Sequence, residues 1–117
     1  MKRFSKKRSA ALAAALVAVI EKAGAVPPQD PRFPPDYEEC KGEYMLATRA
    51  GDLRLTVFLN GTSAGAWVAG RFNEVDRARA EGFDCNPYSG KWNHHFFDDK
   101  DPESIADYLA RQLQRTQ

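Results

Sequence analysis

The stretch that decides the fold is residues 53–72, LRLTVFLNGTSAGAWVAGRF. Leu53, Leu55, Val57 and Leu59 alternate with Arg54, Thr56 and Phe58, the period of a strand with one buried face. Asn60 and Gly61 both tolerate positive φ and mark a hairpin turn. Residues 65–72 (GAWVAGRF) supply the returning strand. Working backward, Tyr44–Thr48 reads as a strand and Ala50-Gly51-Asp52 as a turn, so three strands form an antiparallel meander.

Working forward, Asn73 is suited to cap a short helix in which Val75 and Ala78 face the sheet and Gly82 ends the last turn. Asn86-Pro87-Tyr88-Ser89-Gly90 has turn composition, and Lys91–Phe97 reads as a fourth strand. Asp101, Pro102 and Glu103 are the cap, first position and first-turn acid of a final helix. Its apolar stripe is Ile105, Tyr108, Leu109 and Leu113. The expected fold is α+β: an antiparallel sheet of about four strands, ordered β-β-β-α-β-α, with helices on one face.

Two segments precede the sheet. Residues 26–36 (VPPQDPRFPPD) hold five of the seven prolines, which favour extended backbone and cannot continue a helix. They read as a linker or as an arm anchored by Phe33, so the α+β domain is expected to span 37–117. Residues 1–25 run from a basic stretch (MKRFSKKR) through a twelve-residue small or apolar run to Ala23-Gly24-Ala25. That order matches a secretory signal cleaved after Ala25. It equally fits a helix capped by Ser9, docked through Leu12, Leu16, Val19 and Ile20, and stopped by Gly24 and Pro27. The apolar run is shorter than the roughly 20 residues of a membrane span. The location follows the choice: cytoplasmic for a docked helix, exported for a cleaved signal.

The chain has 117 residues, 17 of them Lys or Arg and 16 Asp or Glu. A net charge of +1 excludes a strongly basic nucleic-acid binder and an acidic mimic of one. Without residues 1–25 the balance becomes −4, from 11 basic and 15 acidic residues. Cys40 and Cys85 could form one disulfide in an exported chain, or remain two packed thiols.

The sequence holds no complete catalytic motif. Gly61-Thr62-Ser63-Ala64-Gly65 has the G-x-S-x-G spacing of a nucleophile elbow, but it joins hairpin strands rather than a parallel strand and a helix. Asn60-Gly61-Thr62 matches a glycosylation acceptor and reads as the same turn. His94 and His95 beside Asp98 and Asp99 have metal-ligand composition, yet adjacent strand residues point to opposite faces. Cys85 and His94 lie on two arms of one turn, without the third group that nucleophilic catalysis needs. No phosphate loop or dinucleotide fingerprint is present, and no cofactor or metal is implied. An enzyme built on Cys85, His94, His95 and the Asp98-Asp99 pair is the least supported alternative.

The densest segment is Tyr88–Phe96, with three aromatics, a lysine, an asparagine and two histidines in nine residues. Tyr and Trp are enriched where interfaces concentrate their energy. Tyr88, Lys91, Trp92, Asn93 and His95 are therefore the candidate binding residues. A protein is the first expected partner. Nucleic acid is the second, because Arg71, Arg77, Arg79 and Lys91 lie near Tyr88 and Trp92, although acids are interleaved among them.

The patterns WVAGRF, NEVDRARA and CNPYSGKWNHHF within residues 66–96 resemble small uncharacterised proteins encoded by bacterial phages and plasmids. The resemblance covers about a quarter of the chain and implies no activity. It suggests an accessory role on a mobile element, such as inhibition of a host system.

Overall fold

In the computed structural model, residues 6–34, 36–59, 65–76, 90–96 and 101–116 are described. Helix α1 (Lys6–Lys22) precedes strands β1 (Cys40–Thr48), β2 (Gly51–Leu59), β3 (Ala66–Phe72) and β4 (Lys91–Phe96), and helix α2 (Pro102–Thr116) closes the chain. The strands form one antiparallel sheet in the order β1-β2-β3-β4. This is the α+β arrangement that the alternation in residues 53–72 implies.

The sheet has an inner and an outer face because side chains alternate along each strand. Leu53, Leu55 and Val57 of β2, Val68 and Phe72 of β3 and Phe96 of β4 are buried on the inner face. Both helices pack over that face. From α1 come Leu12, Ala13, Leu16 and Ile20; from α2 come Ile105, Leu109 and Leu113. Fully burying a leucine or isoleucine contributes about 1.5–3 kcal/mol. Leu12, Leu16 and Ile20 together therefore contribute an amount comparable with a whole domain's net stability of about 5–15 kcal/mol. α1 thus belongs to the same core as the sheet.

Ser9 does not cap α1, because the helix begins three residues earlier, at Lys6. Ser9 is buried in the first turns instead, and its hydroxyl accepts the Gly65 backbone N–H at 2.9 Å, which fastens the start of the helix to the entry of β3. Gly24 ends the helix as expected, with φ of +98°. The Tyr44 hydroxyl donates to the Glu21 carboxylate at 2.7 Å and ties the last turn of α1 to β1. At α2, Asp101 Oδ1 accepts the Glu103 N–H at 3.3 Å and Oδ2 accepts from the Ser104 hydroxyl at 3.2 Å, the capping geometry that Asp101 implies.

β2 and β3 pair as far as Leu59 and Ala66, as an antiparallel hairpin requires; the expected Asn60-Gly61 turn lies outside the described residues. Asn73 and Asp76 donate backbone N–H bonds to the Asp52 and Ala50 carbonyls and hold the end of β3 against the β1–β2 hairpin. The remainder of the expected short helix, the 86–89 turn residues, Tyr88, Cys85 and Phe97 lie outside the described residues.

Candidate recognition face on the outer sheet

The outer face is divided in two. Over β1 and β2 lies the proline-rich arm. Val26 and Met45 exchange both backbone hydrogen bonds, N to O 2.9 and 2.7 Å, so the arm begins as a single-residue extension of the β1 edge. It then crosses the face. The Glu43 carboxylate accepts the backbone N–H groups of Arg32 (3.0 Å) and Phe33 (2.9 Å). Arg54, only 5 % exposed, reaches Asp30 Oδ1 at 2.7 Å with its guanidinium and has Glu43 Oε2 at 3.9 Å. Arg54 is thus held between a carboxylate of the arm, Asp30, and one of the neighbouring strand, Glu43. Arg54 also depresses the Asp30 carboxyl below its ordinary range, first through this hydrogen bond and then through its charge.

The expected anchor, Phe33, does hold the arm. Its ring stacks on Tyr37 at 5.0 Å and meets the Phe58 edge at 5.2 Å. Phe58 in turn stacks on Trp67 at 4.3 Å. Four rings therefore run in series from the arm across β2 to β3.

Beyond Trp67, none of the described residues covers the second half of the outer face. Register sets its composition. Arg54 pairs with Arg71 and Arg71 with Lys91; Thr56 with Ala69 and Ala69 with Asn93; Phe58 with Trp67 and Trp67 with His95. Lys91, Asn93 and His95 thus share a face with Arg71 and Trp67 and are exposed. A shallow depression of about 250 Å³ is bordered by Trp67, Asn93, His94 and His95. Arg71 and Lys91 stand directly opposite one another, a like-charge pair that destabilises a sheet. Among the described residues, no acid lies within ion-pair distance of either.

Of the residues singled out from sequence, Lys91, Asn93 and His95 come together here. Trp92 does not. It lies on the inner face across from Gly70, where a Cβ would stand 2.2 Å from the indole, so glycine is the residue that admits the ring. Trp92 packs against the core and against His94, ring centroids 4.9 Å apart. His94 also meets Tyr108 of α2 edge-on at 5.7 Å. The adjacent imidazoles thus occupy opposite faces and do not converge on one point. Arg71 meets Lys91, the two cations that sequence reading places together; Trp67 is the partner that it does not join to β4. Alternation within β3 puts Trp67 and Arg71 on one face, but only the pairing register places that face beside Asn93 and His95.

Of the other chemical candidates, Ser63, Cys85, Asp98 and Asp99 lie outside the described residues. Cys40 is a free, half-buried thiol whose pKa burial pushes up, the direction opposite to nucleophile activation. No group of three or more His, Cys, Asp or Glu converges as a metal site among the described residues. No described helix is long and apolar enough to cross a membrane.

The architecture defines a small α+β domain with an open antiparallel sheet, helices on one face and a strapped second face. Comparisons with protein-family models, curated proteins and solved structures give no match.

Proposed function

We propose that this chain is a small non-catalytic interaction protein that captures a macromolecular partner on the open outer face of β3 and β4. One observation carries the reading. Trp67, Arg71, Lys91, Asn93 and His95 are gathered on the face away from the core, while the arm covers the other half of that face. An exposed like-charge pair on the same face as an indole costs stability and packs no core, which is what a surface shaped for a partner shows. The resemblance of residues 66–96 supports an accessory role on a mobile element, with a host macromolecule as the partner.

The same reading keeps the protein uncleaved and in the cytoplasm. It is supported by the burial of Leu12, Leu16 and Ile20 and by the Ser9–Gly65 bond, all of which cleavage after Ala25 would remove.

The test is affinity capture in the native host with wild-type protein and a Lys91→Ala, His95→Ala double variant. Both side chains are exposed, so the variant is expected to melt with the wild type and to lose the partner. Undiminished capture by the folded variant would overturn the assignment of this face.

A further inference from the structure

We infer that the open face takes a single-stranded nucleic acid, with backbone phosphate at Arg71 and Lys91 and a base stacked on Trp67 between Asn93 and His95. This rests on the reading of the β3–β4 face as the interaction surface and names its partner class.

Three observations converge. First, the charges are complementary to a polyanion. Arg54, Arg71 and Lys91 form one cross-strand row, and of these Arg54 is paired, with Asp30 of the arm and Glu43 of β1. Arg71 and Lys91 are left exposed and adjacent, the arrangement in which a phosphate relieves repulsion rather than competing with a resident carboxylate. Asp52, an exposed acid, lies on β2 two residues along from Arg54, at the hairpin end and two strands from Lys91.

Second, the aromatic series Tyr37–Phe33–Phe58–Trp67 ends at a depression rather than at another side chain of the series. A planar base is the group that extends such a stack, and any base offers a π-face. Asn93, with a donor and an acceptor amide, and His95 border the same depression. Third, the spacing fits an extended strand. The cation row and the Trp67–His95 row are four residues apart along β3, about 13 Å. One nucleotide does not bridge that distance, but a strand laid along the face does. A protein partner would also meet Trp67 and Arg71, but among the described residues of β3 and β4 only Ala69 is apolar between the two rows, less than the apolar centre of a protein interface.

The test uses the full chain and fluorescein-labelled oligodeoxythymidylate and oligouridylate, each about 16 nucleotides long, followed by fluorescence anisotropy at several salt concentrations. Wild type is expected to bind, more weakly as salt rises. Arg71→Glu with Lys91→Glu, two exposed positions that leave the core intact, is expected to weaken binding at least about tenfold and to flatten the log–log salt slope by about 1.4, for two lost contacts to a single strand. Trp67→Leu is expected to weaken it at least about fivefold. Should that variant unfold, quenching of indole fluorescence by the oligonucleotide in the wild type reads the same contact. A preference between the two sugars tells whether DNA or RNA is the source; binding of either supports the inference. No binding of either oligonucleotide at low salt overturns it, as does binding that the charge-reversed variant retains. If oligonucleotides are ignored while partner capture still depends on Lys91 and His95, the nucleic-acid class alone falls. If capture is also independent of those residues, the face itself has no recognition role.

Discussion

Truncating Leu16 to alanine asks whether α1 is part of the folded protein. Leu16 is fully buried midway along the helix, between Leu12 and Ile20, and packs with them on the inner face of the sheet. Alanine is at least as good a helix former, so helix propensity does not oppose the substitution and the loss isolates packing. Removing a buried leucine side chain costs about 2–5 kcal/mol, the higher end where the surroundings cannot collapse. A two-sided site, sheet below and α2 beside it, argues for about 3 kcal/mol. For a chain of this size that lowers the melting temperature by roughly 10–15 °C. It lowers the urea midpoint by about 2 M if the slope is near 1.5 kcal/mol/M. The assay is urea unfolding followed in parallel by tryptophan fluorescence and far-ultraviolet circular dichroism. Ala14→Gln, on the exposed side of the same helix, is the control and is expected to stay within about 0.5 kcal/mol of wild type. A Leu16→Ala protein as stable as that control would refute the docking of α1, and with it the argument that residues 1–25 remain on the working protein.

Further expectations follow from the same packing. Gly70→Ala places a Cβ against the Trp92 indole and is expected to destabilise by about 1–3 kcal/mol in the same unfolding assay; a neutral result would mean the ring does not lie over Gly70. Burial first, then the hydrogen bond to Glu21, raise the Tyr44 phenol from 10.0 to about 12, so its contribution is fully present below pH 10 and is lost as the pH rises through about 12. Absorbance titration at alkaline pH should show one late tyrosine that Tyr44→Phe removes; an unchanged titration contradicts the contact. Asp30→Asn and Glu43→Gln each release a hold on the arm and should speed tryptic cleavage after Arg32, whereas equal cleavage rates would show that these carboxylates do not fasten it. Because the Asp30 pKa is depressed in the fold, its support for the arm is present above its ordinary 3.8 and fades as the pH falls through the lower folded value. Protein made in the native host should have an intact mass that includes residues 6–22 and two free thiols; a mass beginning at Val26, two daltons light, would favour an exported form with a Cys40–Cys85 bond.

Much of the fold is legible because its determinants are local. The alternation of Leu53, Leu55 and Val57 requires a half-buried strand, and Asp101-Pro102-Glu103 requires a helix start. The N-terminal segment was not decidable in the same way. An alanine-leucine run after a basic stretch satisfies both a signal and a docked helix, and nothing within residues 1–25 separates the two. Ser9 shows the limit at one residue: its hydroxyl suits a cap, but the partner that claims it, Gly65, is 56 residues away. The recognition face was half legible. Alternation in β4 put Lys91, Asn93 and His95 on one side and Trp92 on the other, and Arg71 was grouped with Lys91, whereas Trp67 joins them only through the pairing register of β3 with β4. The arm was legible as proline-rich and extended. That its Asp30 would join Glu43 of β1 at Arg54 depends on which sheet face the arm crosses, which composition does not encode.

The most direct test of the open face is site-specific photocrosslinking in the native host, with a photoreactive amino acid at Asn93 in one protein and at Ala18, on the exposed side of α1, in another. Crosslinks to one discrete partner from position 93 and none from position 18 are the expected result. Crosslinks from position 18 alone, or the same products from both positions, would contradict the assignment of the β3–β4 face as the surface through which this protein acts.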